Sequence, residues 1–171
     1  MIIFAQKFNG QTKMKALDVA KYVVAKCDNV GDLITNKKLQ KVLYYIKAWG
    51  VSYFPKDGVI DEDFEAWVHG PVCPIVYQDY KHFGYQPITL DYKDSNSSQF
   101  INQFKLKHQE DEKIEMIDVV FDKYEKLSSL QLEMLTHSEK PWINARKGLS
   151  PIDRGNKVIS ADDMRAFYKS K

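Results

Sequence analysis

The sequence predicts a mostly α-helical fold, a compact helical domain carrying one small β element (α+β). Three observations predict it. Apolar residues recur at helical spacing in separate stretches along most of the chain. Good helix-capping residues (Thr35, Ser128, Ser160) stand ahead of several of those stretches. Only one short aromatic-rich run, residues 61–68, reads as a strand, and turn signals flank it: Asp57-Gly58 before, Gly70-Pro71 after.

Taken in order, residues 1–13 form an N-terminal arm or an extra strand, with an alternative start at Met14, and residues 14–171 form the domain. Leu17, Ala20, Val23, Val24 and Cys27 mark a first helix that Gly31 interrupts. Thr35 caps a second helix running to about Trp49, and Gly50 ends it. On its wheel Leu39, Val42, Leu43, Ile46 and Trp49 share an apolar arc. Lys37, Lys41 and Tyr44 fall opposite, with Lys38 flanking, as a solvent-facing stripe. After the strand, Gly70-Pro71 stops the pairing and Pro74 opens a third helix with Ile75, Val76, Tyr77, Tyr80 and Phe83 on its core face. Gly84 caps that helix. Residues 85–110 carry the weakest pattern, although Phe100, Ile101 and Phe104 suit a short helix. A long helix then turns Ile114, Ile117, Val120, Phe121 and Tyr124 inward. Ser128 and Gln131 have capping-box spacing for a helix that buries Leu132 and Leu135. Residues 139–147 make another short helix ended by Gly148, and Ser160 caps the last, which bears Met164, Phe167 and Tyr168.

Composition narrows the functional classes. A chain of 171 residues, 44% hydrophobic and 28% charged, buries a core as one domain without staples. Its longest apolar runs fall far short of the roughly 20 residues that span a bilayer, so a membrane partner is not expected. The apolar start lacks the basic region of a signal peptide. With 25 basic and 23 acidic residues the net charge is +2, which argues against a dedicated nucleic-acid binder. Two cysteines, Cys27 and Cys73, build neither a disulfide framework nor a four-cysteine zinc site, and a reduced, cytoplasmic protein follows.

The search for chemistry finds no enzyme. Asp61, Glu62, Asp63 and Glu65 cluster beside a turn, where solvation alone accounts for them. His69, Cys73, His82, His108 and His137 lack metal-ligand spacing, and no cofactor is expected. His69 and Cys73 could be drawn as a nucleophilic dyad, but Cys73 between Val72 and Pro74 packs more naturally as a small hydrophobe. No glycine-rich phosphate cradle is present. A hydrolase or transferase using His69, Cys73 or His137 stands as the contrasting alternative. Two constellations are left. The stripe of Lys37, Lys38, Lys41 and Tyr44 could meet an acidic partner or phosphate, or could be a solvated face that needs neither. The run Thr136-His137-x-x-Lys140-Pro141-Trp142-x-x-Ala145-Arg146 reads as a helix end and restart in which capping and packing explain every member.

Three blocks in order carry a resemblance. They are Ile34-Thr35-Asn36-Lys37-Lys38-Leu39-Gln40-Lys41-Val42-Leu43-Tyr44-Tyr45, then Phe64-Glu65-Ala66-Trp67-Val68-His69-Gly70-Pro71-Val72, then Leu135-Thr136-His137 with Pro141-Trp142. Together they resemble the Panacea domain, the SocA-like antitoxin family also known as phage-associated GepA-like proteins, from about Met14 to Tyr168. The resemblance implies a largely helical fold and an antitoxin that neutralises a cognate toxin by direct contact. It implies no catalytic residues. Toxins paired with such domains include small-alarmone-synthetase-like enzymes. An adaptor role delivering the toxin to ClpXP, and a phage-encoded inhibitor of a host defence enzyme, are the alternatives it brings. Leu39, Trp67, Gly70, Pro71 and Trp142 look architectural, while Lys37, Lys38, Lys41 and Tyr44 are the candidate partner-binding residues. With only about 13 residues ahead of the shared domain and almost none after it, a dedicated DNA-binding segment is not expected.

Overall fold

The protein's structure, a computed structural model, describes residues 13–109 and 111–171. The arm or extra strand expected over residues 1–13 therefore lies, save for Lys13, outside the described residues. Where the description begins, Met14 is buried and joins residues 59–61 through Met14 N–H to Val59 O (2.8 Å) and Asp61 N–H to Met14 O (2.9 Å).

Eight α-helices and one two-stranded hairpin make up the described fold. The first helix, α1 (Ala16–Asn29), has no cap of its own. Glu62 supplies one from 46 residues away by accepting the Ala16 N–H at 2.6 Å, so one member of the acidic cluster caps a helix. Asp61 pairs with Lys15 at 2.7 Å. Helix α2 (Asn36–Tyr53) starts at Thr35, whose hydroxyl accepts the Lys38 N–H. It passes through Gly50 for one more turn, because Gly50 serves packing: a Cβ there would stand 2.9 Å from the Val59 side chain.

Helix α2 is the axis of the molecule. It packs against α1, α3 (Pro74–Tyr80), α5 (Glu112–Tyr124), α6 (Ser129–His137), α8 (Ala161–Tyr168) and the hairpin. Every residue from 39 to 48 is buried in consequence. The solvent-facing stripe expected on α2 is thus corrected. Lys41 and Tyr44 are buried, Lys38 is half-buried, and of the four only Lys37 is exposed. The wheel misplaces them because a helix surrounded on all sides has no solvent face, and a lysine stem covers apolar neighbours as a hydrophobe does.

Strands β1 (Glu65–Trp67) and β2 (Gly70–Val72) pair antiparallel in the register Glu65↔Val72, Ala66↔Pro71, Trp67↔Gly70. Gly70-Pro71, expected to stop the strand, belongs to its partner, and the turn falls at Val68-His69. Proline is tolerated there because β2 pairs with one strand only. Phe64 and Ala66 also bond outward to the chain around Lys157 and Ile159.

The remaining helices follow the sequence reading. Pro74 occupies the first turn of α3, Asn96 and Gln99 form a capping box on α4 (Ser97–Lys107), and Asp111 caps α5. Ser128 and Gln131 form the expected box on α6, and Ser160 caps α8. Helix α7 (Lys140–Ala145) is the short helix expected over residues 139–147. On α3, Val76 and Tyr80 are buried while Ile75 is 47% exposed, so that residue is not on the core face. Among the described residues no helix is long and apolar enough to cross a membrane.

Candidate functional site

The three sequence blocks converge on the hairpin. Lys41 of α2 runs beneath it, and its amine donates to Pro71 O at 3.3 Å. Gly70 makes room for that stem. A Cβ at Gly70 would come 2.6 Å from Lys41 Cε and 3.0 Å from Thr136 Oγ1, and φ there is +102°, a backbone region that side chains avoid. Next to it on α2, Gln40 accepts the Cys73 N–H at 2.9 Å and donates to Asn36 at 3.0 Å. Asn36 in turn donates to Tyr77 O at 3.4 Å. The start of α2 is thereby tied to the exit of the hairpin and to α3.

From the other side, α6 and α7 close the clamp. Trp142 Nε1 donates to Trp67 O at 3.1 Å. Arg146 gives one N–H to Ala66 O at 2.9 Å and others to Ser150 O (3.1 Å) and Asp153 O (2.7 Å). The His137 ring stacks on the Trp142 indole with centroids 4.0 Å apart, and the Arg146 guanidinium lies 5.1 Å from the same ring. Glu133 of α6 bridges Lys37 (2.5 Å) and His69 at the hairpin tip (3.0 Å). Burial holds the Lys41 amine down at about 7, against an opposing pull from Glu133 and a further push from Lys37. Burial likewise lowers His137. Glu133 is lowered: the bonds from Lys37 and His69 overcome its partial burial.

These partners bear on the candidates for chemistry. His69 lies against Glu133, His82 against Phe83, His108 against Phe104 and His137 against Trp142. No group of three His, Cys, Asp or Glu side chains able to hold a metal occurs among the described residues. Cys73 is fully buried, and burial raises its thiol, the opposite of what a nucleophile needs. Cys27 is buried too and pushed up to about 12.

Beside the clamp lies a groove of about 1050 Å³. It runs from the first turns of α2 across the hairpin and the end of α3 to residues 152–156. Lys37, Lys41, Lys81 and Arg154 line it together with His69, and among the described residues lining it there is no Asp or Glu. Tyr85 and Ile152 stand on its rim, 96% and 84% exposed. Of the predicted binding residues the structure therefore brings Lys37 and Lys41 to the groove, one at its edge and one in its buried floor. Tyr44 and Lys38 face elsewhere. Tyr44 sits edge-on to Tyr45 and Phe64 in the core, and the Lys38 amine donates to Glu125 O. Lys81, Tyr85, Ile152 and Arg154 had no periodic signal, because they lie in a short 3-10 segment after α3 and in the irregular chain around two turns. Their one mark in the sequence is a large apolar residue next to a turn former, Gly84-Tyr85 and Pro151-Ile152.

A helical domain folded round a central buried helix, with its polar interior turned to gripping one hairpin, is the class of protein these observations define. Residues 39–143 match the family model described as antitoxin SocA-like, Panacea domain. That span is more than half of the chain, and the protein belongs to this family. No curated protein and no solved structure matches it.

Proposed function

We propose that the protein is the antitoxin of a toxin–antitoxin pair and that it neutralises its toxin by direct protein–protein contact, with no catalytic step of its own. Membership of the antitoxin family over residues 39–143 carries this reading. The clamp supports it from another side. Lys41, Trp142 and Arg146 spend their donors on backbone carbonyls, and His69 is engaged with a carboxylate. Chemistry-bearing side chains used this way hold a shape, and a held shape is what a binding surface requires. The partner is a toxin encoded beside the gene, with a small-alarmone-synthetase-like enzyme as the class that the resemblance favours, and the pair works in the cytoplasm.

Co-expression with the neighbouring open reading frame tests the proposal. The expected result is growth rescue together with a complex that survives copurification. A neighbour that stays toxic in the presence of this protein overturns it. Rescue in which the toxin disappears only when ClpXP is present would replace blocking by delivery to the protease.

A further inference from the structure

We infer that the groove beside the hairpin is where the toxin docks, and that it receives an acidic segment of the toxin carrying an apolar side chain, gripped by Lys81 and Arg154 and flanked by Tyr85 and Ile152. The inference rests on the antitoxin reading and adds to it the face used and the chemistry of the partner.

Charge is the first argument. The whole chain is nearly balanced at +2, yet four lysine and arginine side chains, of which Lys41 is buried on a backbone carbonyl, and no carboxylate line this groove among the described residues. Two of the basic groups there, Lys37 and His69, already share Glu133. Lys81 and Arg154 have no ion pair among the described residues, so an incoming carboxylate would meet cations that need not first leave another partner. Surface composition is the second. Large apolar side chains exposed at 96% and 84% beside an arginine make the mixture enriched at protein interfaces, where tyrosine and arginine anchor most of the affinity. Rigidity is the third. The groove floor contains the hairpin, whose carbonyls are fixed from below by Lys41 and from behind by Trp142 and Arg146, so little ordering is left to be done on binding.

The same observations disfavour nucleic acid. A single-strand channel needs a clear basic excess and several aromatic platforms open to bases. Here Trp67 packs edge-on to Tyr77 and Trp142 is covered by His137, which leaves Tyr85 and His69, the latter bonded to Glu133, as the exposed rings among the described residues lining the groove.

The test uses the full chain copurified with the co-expressed toxin. The groove variant is Lys81→Glu with Arg154→Glu, and the charge-matched control is Lys21→Glu with Lys169→Glu, two exposed lysines outside the groove. The groove pair should weaken toxin binding about 100-fold and abolish rescue, while the control stays within about twofold. Tyr85→Ala with Ile152→Ser, which leaves every charge in place, should weaken binding about tenfold and carries the test if the charge pair melts below the control. Wild-type binding that the groove variants leave unchanged overturns the groove and spares the antitoxin reading. A wild-type protein that neither binds nor silences the toxin removes both. A wild-type dimer dispersed by the groove pair, or a 12-nucleotide RNA bound by the wild type and released by that pair with toxin binding intact, would assign the groove to another occupant and overturn the inference.

Discussion

In the clamp, Lys41 and Arg146 are 1% and 6% exposed and give their N–H groups to backbone carbonyls. On the groove rim, Lys81 and Arg154 stand in solvent and form no ion pair among the described residues. The residue types are the same in the two places, and so is the formal charge. What differs is the number of neighbours that would be stranded if the side chain were lost. A buried cation bonded to carbonyls is costly to desolvate, but once built in, its removal leaves acceptors unpaired and a hole behind. An exposed cation with no partner leaves nothing behind. Substitutions should therefore divide cleanly: the clamp governs stability and the rim governs binding.

Gly70→Ala attacks the clamp at its tightest point and should give the largest effect. The new methyl group would meet the Lys41 stem at 2.6 Å and Thr136 Oγ1 at 3.0 Å on a backbone already at φ +102°. Strain and overpacking together should destabilise the fold by about 4 kcal/mol. Urea unfolding measures it, and a loss under about 1 kcal/mol would mean that the Lys41 stem moves aside freely. Combining it with Lys41→Ala sharpens the argument. The steric part should be relieved and the backbone part should persist, so the two changes should be non-additive.

Arg146→Leu comes next. It removes the donors to Ala66, Ser150 and Asp153 and the guanidinium beside Trp142 while keeping much of the buried volume. A loss of about 2–3 kcal/mol is expected. Arg146→Lys should recover little, because an ammonium on a flexible stem does not reproduce the planar fork of N–H groups that reaches three carbonyls. By contrast the Lys81→Glu and Arg154→Glu pair should move the unfolding midpoint scarcely at all, within about 0.5 kcal/mol. A rim pair that destabilised as much as Arg146→Leu would erase the distinction between the two regions.

The sequence exposes local signals and hides those that depend on what surrounds an element. Thr35, Pro74, Ser128 with Gln131, and Ser160 mark helix starts because capping is settled within four residues. The small β element was legible from Phe64, Ala66 and Trp67, but its second strand was not. Gly70-Pro71 has the chemistry of a breaker, and it takes the stem of Lys41 and the hydroxyl of Thr136, both from distant helices, to explain why glycine belongs there. Gly50 misleads for the same reason, since its neighbour Val59 comes from another segment. The exposure expected of the stripe is not met at Lys41 and Tyr44 because a wheel assumes one wet side, whereas α5, α6, α8 and the hairpin all close on α2. Lys37 kept its exposure because it precedes the enclosed stretch, in the first turn. The rim of the groove comes from two turns far apart in the chain, and no periodicity could have joined Tyr85 to Ile152.

The pH dependence of stability tests whether the buried amine of the clamp is charged at all. Burial holds Lys41 at about 7, well below its ordinary 10.5. Between those values the unfolded chain carries a proton on this lysine that the folded protein has released. Stability must then rise with pH across that interval, and the cost of burying the charge is fully present only below about 7. Lys41→Met keeps the stem and removes the titration, so wild type should gain on the variant by about 2 kcal/mol from pH 7 to 9. Glu133 and Lys37 both act on Lys41, and Lys41 in turn depresses His137. The carboxylate and the histidine are both held below their ordinary values, and the comparison starts at pH 7 to stay on the alkaline side of both. The thiols and tyrosines whose own shifts raise them are common to both proteins and cancel in the difference. Urea unfolding of the two proteins at half-unit steps would read the slope. Parallel curves would show an ammonium that stays charged on the Pro71 carbonyl, held by Glu133, and the clamp would then be an ionic one, closer in kind to the rim than its burial suggests.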